Sequence, residues 1–109
     1  MKRIGFLMLS YPQAHKSPVM PEVVKLLSDW GAKVQVIHPE RQLVDLSRLR
    51  VEHDLYILKA KTNIALSIAG CLHAHGAAIL NPYPVSMMLR DKIITSRVLE
   101  AAGIPTPKT

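Results

Sequence analysis

Lys2-Arg3-Ile4-Gly5-Phe6-Leu7-Met8-Leu9-Ser10-Tyr11-Pro12 is the stretch that decides the fold. It is a short apolar run at the very start of the chain, and it stops at three turn-forming residues. A continuous apolar run of this length suits a strand covered on both faces, as in a parallel sheet. Downstream, Pro18 and Pro21 stand where a helix can begin, because proline is tolerated in the first turn. Val23, Val24, Leu26, Leu27 and Trp30 recur at helical spacing, and Gly31 stops the helix. Lys33–His38 reads as the second strand, with Val34, Val36 and Ile37 β-branched, and Pro39 ends it.

The alternation continues toward the C-terminus. Glu40–Glu52 is polar with Leu43, Leu46 and Leu49 three apart, a short helical or irregular crossover. Leu55-Tyr56-Ile57-Leu58 is the heart of a third strand over 55–59. Asn63 reads as the N-cap of a helix whose buried side is Ile64, Leu66, Ile68, Cys71 and Leu72, closed by Gly76. Ala77–Leu80 is a fourth strand, broken by Asn81-Pro82-Tyr83-Pro84. Helical turns follow over Val85–Leu89 and Lys92–Ala102, and Gly103 leads into an extended Ile104-Pro105-Thr106-Pro107. Alternating strands and helices predict an α/β fold: a Rossmann-like, four-stranded parallel sheet with helices on both faces. Strands are expected near 3–9, 33–38, 55–59 and 77–80. Right-handed crossovers put the first strand in the interior of the sheet.

Composition narrows the function classes. At 109 residues the chain holds one domain with a real core. It is 49% apolar and 5% aromatic, so disorder is excluded. The single Cys71 rules out an internal disulfide and reads as a buried, reduced packing residue. No run reaches a membrane span, and Ile4–Leu9 is too short for a signal peptide. A reducing, cytoplasmic location is expected. The net charge is +6, but the cations are scattered with little aromatic interleaving. A solvated basic surface is therefore the reading, and no nucleic-acid partner is expected.

Several site classes are also excluded. The first strand is followed by neither G-x-G-x-x-G nor a P-loop. The acidic pocket of a phosphoacceptor receiver is missing. His15, His38, His53, His73 and His75 make no zinc pattern, because His73 and His75 fall on different faces of a helix. No nucleophile–histidine arrangement emerges from spacing. Lys59-Ala60-Lys61-Thr62-Asn63, in contrast, sits at the carboxyl end of the third strand, where open parallel sheets bind ligands. Two lysines with small polar neighbours there suit a carboxylate or a phosphate, although a plain polar loop reads equally well. Ser10 and Tyr11, after the first strand, belong to the same rim.

The C-terminal half carries a more specific pattern. A strand begins at Asp54 and a second runs Gly76-Ala-Ala-Ile-Leu-Asn81-Pro82. Then come Met87-Met-Leu-Arg90-Asp91-Lys92 and Val98-Leu-Glu-Ala-Ala-Gly103-Ile104-Pro105-Thr106-Pro107. In this order and spacing the pieces resemble the ATP-grasp ligases. The nearest branch is that of the amino-acid and peptide ligases, which includes glutamate-adding RimK-like enzymes, lysine-biosynthesis ligases and D-alanine–D-alanine ligase. The resemblance is detailed from about Asp54 onward and follows only the element order before it.

The resemblance implies that residues 1–104 form an N-terminal, pre-ATP-grasp domain and that 105–109 begin a linker to ATP-grasp domains of the same parent chain. It implies a substrate-binding and phosphate-closing lobe of an enzyme that joins a carboxylate to an amine through an acylphosphate. ATP and Mg²⁺ would be bound mostly by those further domains, and this chain alone would be inactive. Lys92 matches the lysine that reaches the ATP phosphates, an amino acid or peptide is the expected substrate, and the resembling ligases often have a basic residue where Lys59 and Lys61 stand. Asp91 is placed to cap the helix beginning at Lys92, so that a phosphate there meets an ammonium and a helix start. No catalytic or metal-ligating residue is expected here. A face that meets further domains also allows self-association. The competing reading is a stand-alone binding or interaction module without ATP chemistry. The two part on whether the parent gene continues past Thr109 with a glycine-rich loop and paired Glu/Asn ligands.

Overall fold

In the computed structural model, which describes residues 1–9, 18–41 and 45–107, four strands form one parallel sheet. They are β1 (Arg3–Leu7), β2 (Lys33–Ile37), β3 (Leu55–Leu58) and β4 (Ile79–Leu80). Their order is β2-β1-β3-β4 with every pairing parallel. The interior place of β1 is the one expected from right-handed crossovers, since the connections leave it toward opposite edges. Among the described residues four helices accompany the sheet: α1 (Met20–Asp29), α2 (Asn63–Ala74), α3 (Tyr83–Arg90) and α4 (Lys92–Ala101). Between β2 and β3 the described residues of the crossover form two single 3-10 turns, Pro39–Arg41 and Leu46–Arg48.

Strand residues two apart share a face. Leu7, Tyr56 and Leu58 therefore point to one side, where Leu66, Ile68, Ala69 and Leu72 of α2 meet them to make the core cluster. The crossover from β2 to β3 lies on this same side, with Leu49 packed against the cluster. Phe6 points the other way, toward the side of α1, and is 1% exposed. α3 packs on α2, and α4 packs on α3. The link between α2 and α3 is Tyr83, whose ring lies over Gly70 and beside His73, with ring centroids 5.6 Å apart. α1 and α2 end at Gly31 and Gly76, at φ 95° and 86°, conformations that residues with a Cβ rarely adopt.

The strands are shorter than expected. β1 ends at Leu7 rather than residue 9, although Met8 N–H still donates to Ile37 O at 2.9 Å. There the ladder closes, because the next donor in register would be Pro39, which has no N–H, and the His38 imidazole takes the acceptor left over, Met8 O, through Nδ1 at 3.0 Å. β2 and β3 each stop one residue early, and β4 keeps two residues of the expected four. The N-cap of α2 is Thr62, not Asn63: Thr62 Oγ1 accepts from Ala65 N–H at 3.2 Å, and Asn63 is the first helical residue. Cys71 is half-buried rather than buried.

Candidate functional site

All four strands run the same way, so their carboxyl ends meet at one edge of the sheet. β3 delivers the Lys59–Asn63 loop to that edge. Lys59 N–H donates to Leu7 O at 2.8 Å, tying the loop to β1. Ala60, 1% exposed, plugs it into the core. Lys59, Lys61 and Asn63 then face solvent. Thr62 has both of its hydrogen-bonding roles filled. It caps α2, and its hydroxyl donates to the Glu40 carboxylate on the turn after β2. Thr62 therefore holds the rim together and has little left to offer a ligand. Ser10 and Tyr11 lie outside the described residues.

Two rim groups were not anticipated from the sequence. Glu40 places a carboxylate where the Lys59–Asn63 loop enters α2, fastened to Thr62. His38 joins the ends of β1 and β2. Both stand next to Pro39, and the strand-ending proline was the only available signal that a rim lies there. Neither Lys59 nor Lys61 forms an ion pair among the described residues. The arrangement suits a ligand that carries an anionic group and an amine: two ammonium groups for the first and one carboxylate for the second.

The second predicted group sits at the start of α4. Asp91 Oδ1 accepts from Ile93 N–H at 2.9 Å and from Ile94 N–H at 3.1 Å. This is the predicted cap, and it has a consequence for anion binding. Two of the N–H groups that a phosphate would otherwise use are already engaged, so an anion at this helix start relies chiefly on the Lys92 ammonium. Thr95 Oγ1 donates to Asp91 O at 2.9 Å and to Met88 O at 3.1 Å, which fixes the α3–α4 corner. Lys92 and Arg90 on either side of Asp91 are exposed. No hydrogen bond or ion pair links this corner to the Lys59–Asn63 rim among the described residues.

Among the described residues no group of three or more His, Cys, Asp or Glu side chains is placed to hold a metal ion, and no helix is long and apolar enough to cross a membrane. No family model matches the chain, and no curated protein does. The crystal structure of a RimK domain protein ATP-grasp from Sphaerobacter thermophilus DSM 20745 is similar over 97% of this chain and 40% of that one, with a TM-score of 0.73 and 16% sequence identity. The chain thus spans about 40% of the length of that protein. The likeness agrees with the Rossmann-like, pre-ATP-grasp fold expected from the sequence.

Proposed function

We propose that this chain is the N-terminal lobe of an ATP-dependent ligase that joins a carboxylate to an amine. The observation that carries the reading is the likeness, over 97% of this chain, to a part of an ATP-grasp protein. In the whole enzyme a carboxylate oxygen would attack the γ-phosphorus of ATP, releasing ADP and leaving an acylphosphate. The amine would then displace phosphate from the acyl carbon. Lys92 holds ATP phosphate oxygens. Lys59 and Lys61 hold the carboxylate substrate, an amino acid or peptide, Asn63, Ser10 and Tyr11 contribute to the same substrate binding, and Thr62 fixes the loop. Mg²⁺ would be held mostly by the further domains, where it would neutralise phosphate charge, and no step runs through a metal on this chain. The exposed apolar positions Ile93, Ile94 and Val98 of α4 support a lobe that meets further polypeptide.

The test is steady-state kinetics of the full-length ligase with Lys92 replaced. A charge-assisted contact to phosphate contributes about 1.5–3 kcal/mol, so Lys92→Ala is expected to lower ATP use about ten- to a hundredfold with an unchanged melting temperature. Lys92→Arg should restore part of it, since a planar fork does not reproduce a point charge. Wild-type ATP kinetics in a normally melting Lys92→Ala enzyme would overturn the assignment. The 109-residue chain alone is expected to release no ADP. Mg²⁺-dependent ADP release from it would contradict the lobe reading.

A further inference from the structure

The amino edge of the sheet, opposite the Lys59–Asn63 rim, carries a group of side chains with no part in the function proposed above. Arg3 begins β1 and Lys33 begins β2, and the two are cross-strand partners. The next row on the same face is Gln35, Gly5 and Tyr56, side by side across three strands. Glycine leaves a gap in that row, and His53 fills it from the crossover. A Cβ on residue 5 would stand 3.2 Å from His53 Nδ1 and 3.1 Å from the Tyr56 ring.

His53 is held on three sides. Its Nε2–H donates to Gln35 Oε1 at 2.9 Å. Its ring meets Tyr56 edge-on, with centroids 5.0 Å apart. Its Nδ1 is turned inward, with no hydrogen-bond partner among the described residues. One residue earlier, Glu52 N–H donates to the Tyr56 hydroxyl at 3.0 Å. The crossover is thereby pinned down, and it carries Arg50 toward Arg3 and Lys33. Together these residues line a cavity of about 440 Å³, with Gln35, Glu52 and His53 among its walls.

The charge around this cavity is mainly positive. Among the described residues, three cations and one carboxylate, Glu52, line it. None of Arg3, Lys33 and Arg50 is in an ion pair among the described residues, where the pairs are Arg48–Asp45 and Arg97–Glu100. The carboxylate of neighbouring Asp54 accepts from the backbone N–H of Arg3 at 2.7 Å and keeps its charge, so three cations stand against two carboxylates and an excess of one positive charge remains. Like charges on directly opposed strand positions repel, and an anion between them reverses the sign. Arginine forks suit planar and tetrahedral oxyanions, and the cavity is in the size range of small-molecule sites.

We propose that this cavity is a binding site for the phosphate group of a small molecule, held by Arg3, Lys33 and Arg50 over a floor made by Gln35 and the His53-pinned loop. The site is independent of the ATP reading and lies at the other end of the strands. Free phosphate and a phosphate monoester present the same group, so the test uses both. The 109-residue chain is titrated with inorganic phosphate and with ribose 5-phosphate, each against sodium chloride at matched ionic strength, and amide resonances are followed.

Saturable shifts centred on Gln35, Arg50 and Val51 are expected with at least one phosphate probe and not with chloride. Stronger binding of ribose 5-phosphate assigns an ester as the ligand, and equal binding assigns the phosphate group alone. Arg50→Gln and Lys33→Gln should each weaken binding about tenfold, the loss of one charge-assisted contact. Lys25→Gln, on the exposed surface of α1, should leave it unchanged. Melting temperatures of the variants establish that they fold. Shifts that chloride reproduces, that spread evenly over the lysines, or that survive both substitutions in folded protein would overturn the proposal.

Discussion

Two successive β–α stretches of this chain, Leu55–Ala74 and Ile79–Ala101, are both rich in apolar residues and reach opposite states. In the first, Tyr56, Leu58, Ala65, Leu66, Ala69 and Leu72 are all buried. In the second nothing is buried: Leu89 is 53% exposed and Ile93 79%. Apolar content does not explain the contrast. α2 lies across β1 and β3, and both of those strands have neighbours on each side. α4 has α3 to lean on, and β4 is a two-residue edge strand. The first stretch is held by burial. The second touches the core only through Ile79 and Tyr83, and beyond them it is held by local devices, chiefly the Asp91 cap and the Thr95 hydroxyl at the corner.

The sharpest test of this contrast is a pair of truncations. Leu72→Ala removes a side chain that is 2% exposed at the centre of the cluster. It should cost about 2–5 kcal/mol in urea unfolding, transfer and cavity together. Ile93→Ala should stay within about 0.5 kcal/mol. Equal losses would mean that α4 is packed as tightly as α2. Next in size is Gly5→Ala, at about 1–3 kcal/mol. The new methyl meets His53 and Tyr56 at 3.1–3.2 Å, and the crossover must give way. Loss of the His53–Gln35 contact, read from the His53 ring resonances, should accompany it. An unchanged unfolding midpoint would show that the loop yields freely.

How far the fold was legible follows from the same contrast. β1 and β3 are continuous apolar runs, and the handedness of crossovers then placed β1 inside the sheet without any further information. Strand ends were misjudged because backbone bonds and caps such as His38 to Met8 O decide them, and side-chain pattern does not report those. Thr62 and Asn63 are adjacent residues of N-cap type, and asparagine is the more favoured of the two. Only geometry selects Thr62, whose hydroxyl reaches both Ala65 N–H and Glu40. The Asp91 cap was legible because capping is local in sequence. The His53–Gln35–Gly5 contact was not, because it depends on a register that joins residues 5, 35 and 53.

A smaller effect tests the local devices. Asp91→Ala should cost about 1 kcal/mol, the usual loss on removing a helix cap. Asp91→Asn should keep most of it, since an amide oxygen can accept from the same N–H groups. Hydrogen exchange is the suitable measurement. The amides of Ile93 and Ile94 should lose protection in Asp91→Ala, while those of Leu66 and Leu72 stay as they were. Loss of protection in α2 as well would mean that α3 and α4 support the core, contrary to the comparison above.

The smallest expected effect is a pH dependence centred on His53. Partial burial holds its pKa below the ordinary histidine value. Glu52 and Asp54 oppose that shift, and Arg3 and Lys33 reinforce it. A base whose folded pKa is depressed binds fewer protons folded than unfolded, so stability falls as pH falls. The contribution is complete above the unfolded value of 6.5 and is lost as pH drops through the lower folded pKa. Geometry gives the same direction: Nδ1 faces Gly5 without an acceptor, so a proton there has nothing to bond. Asp54 is shifted down as well, chiefly by the Arg3 N–H bond, but it acts below pH 3.8 and its window is separate. Melting temperatures from pH 7.5 to 5 should therefore decline more steeply in the wild type than in His53→Gln. The difference in slope should vanish above neutrality. Parallel pH profiles for the two proteins would show that the imidazole is as free to take a proton in the folded chain as in the unfolded one.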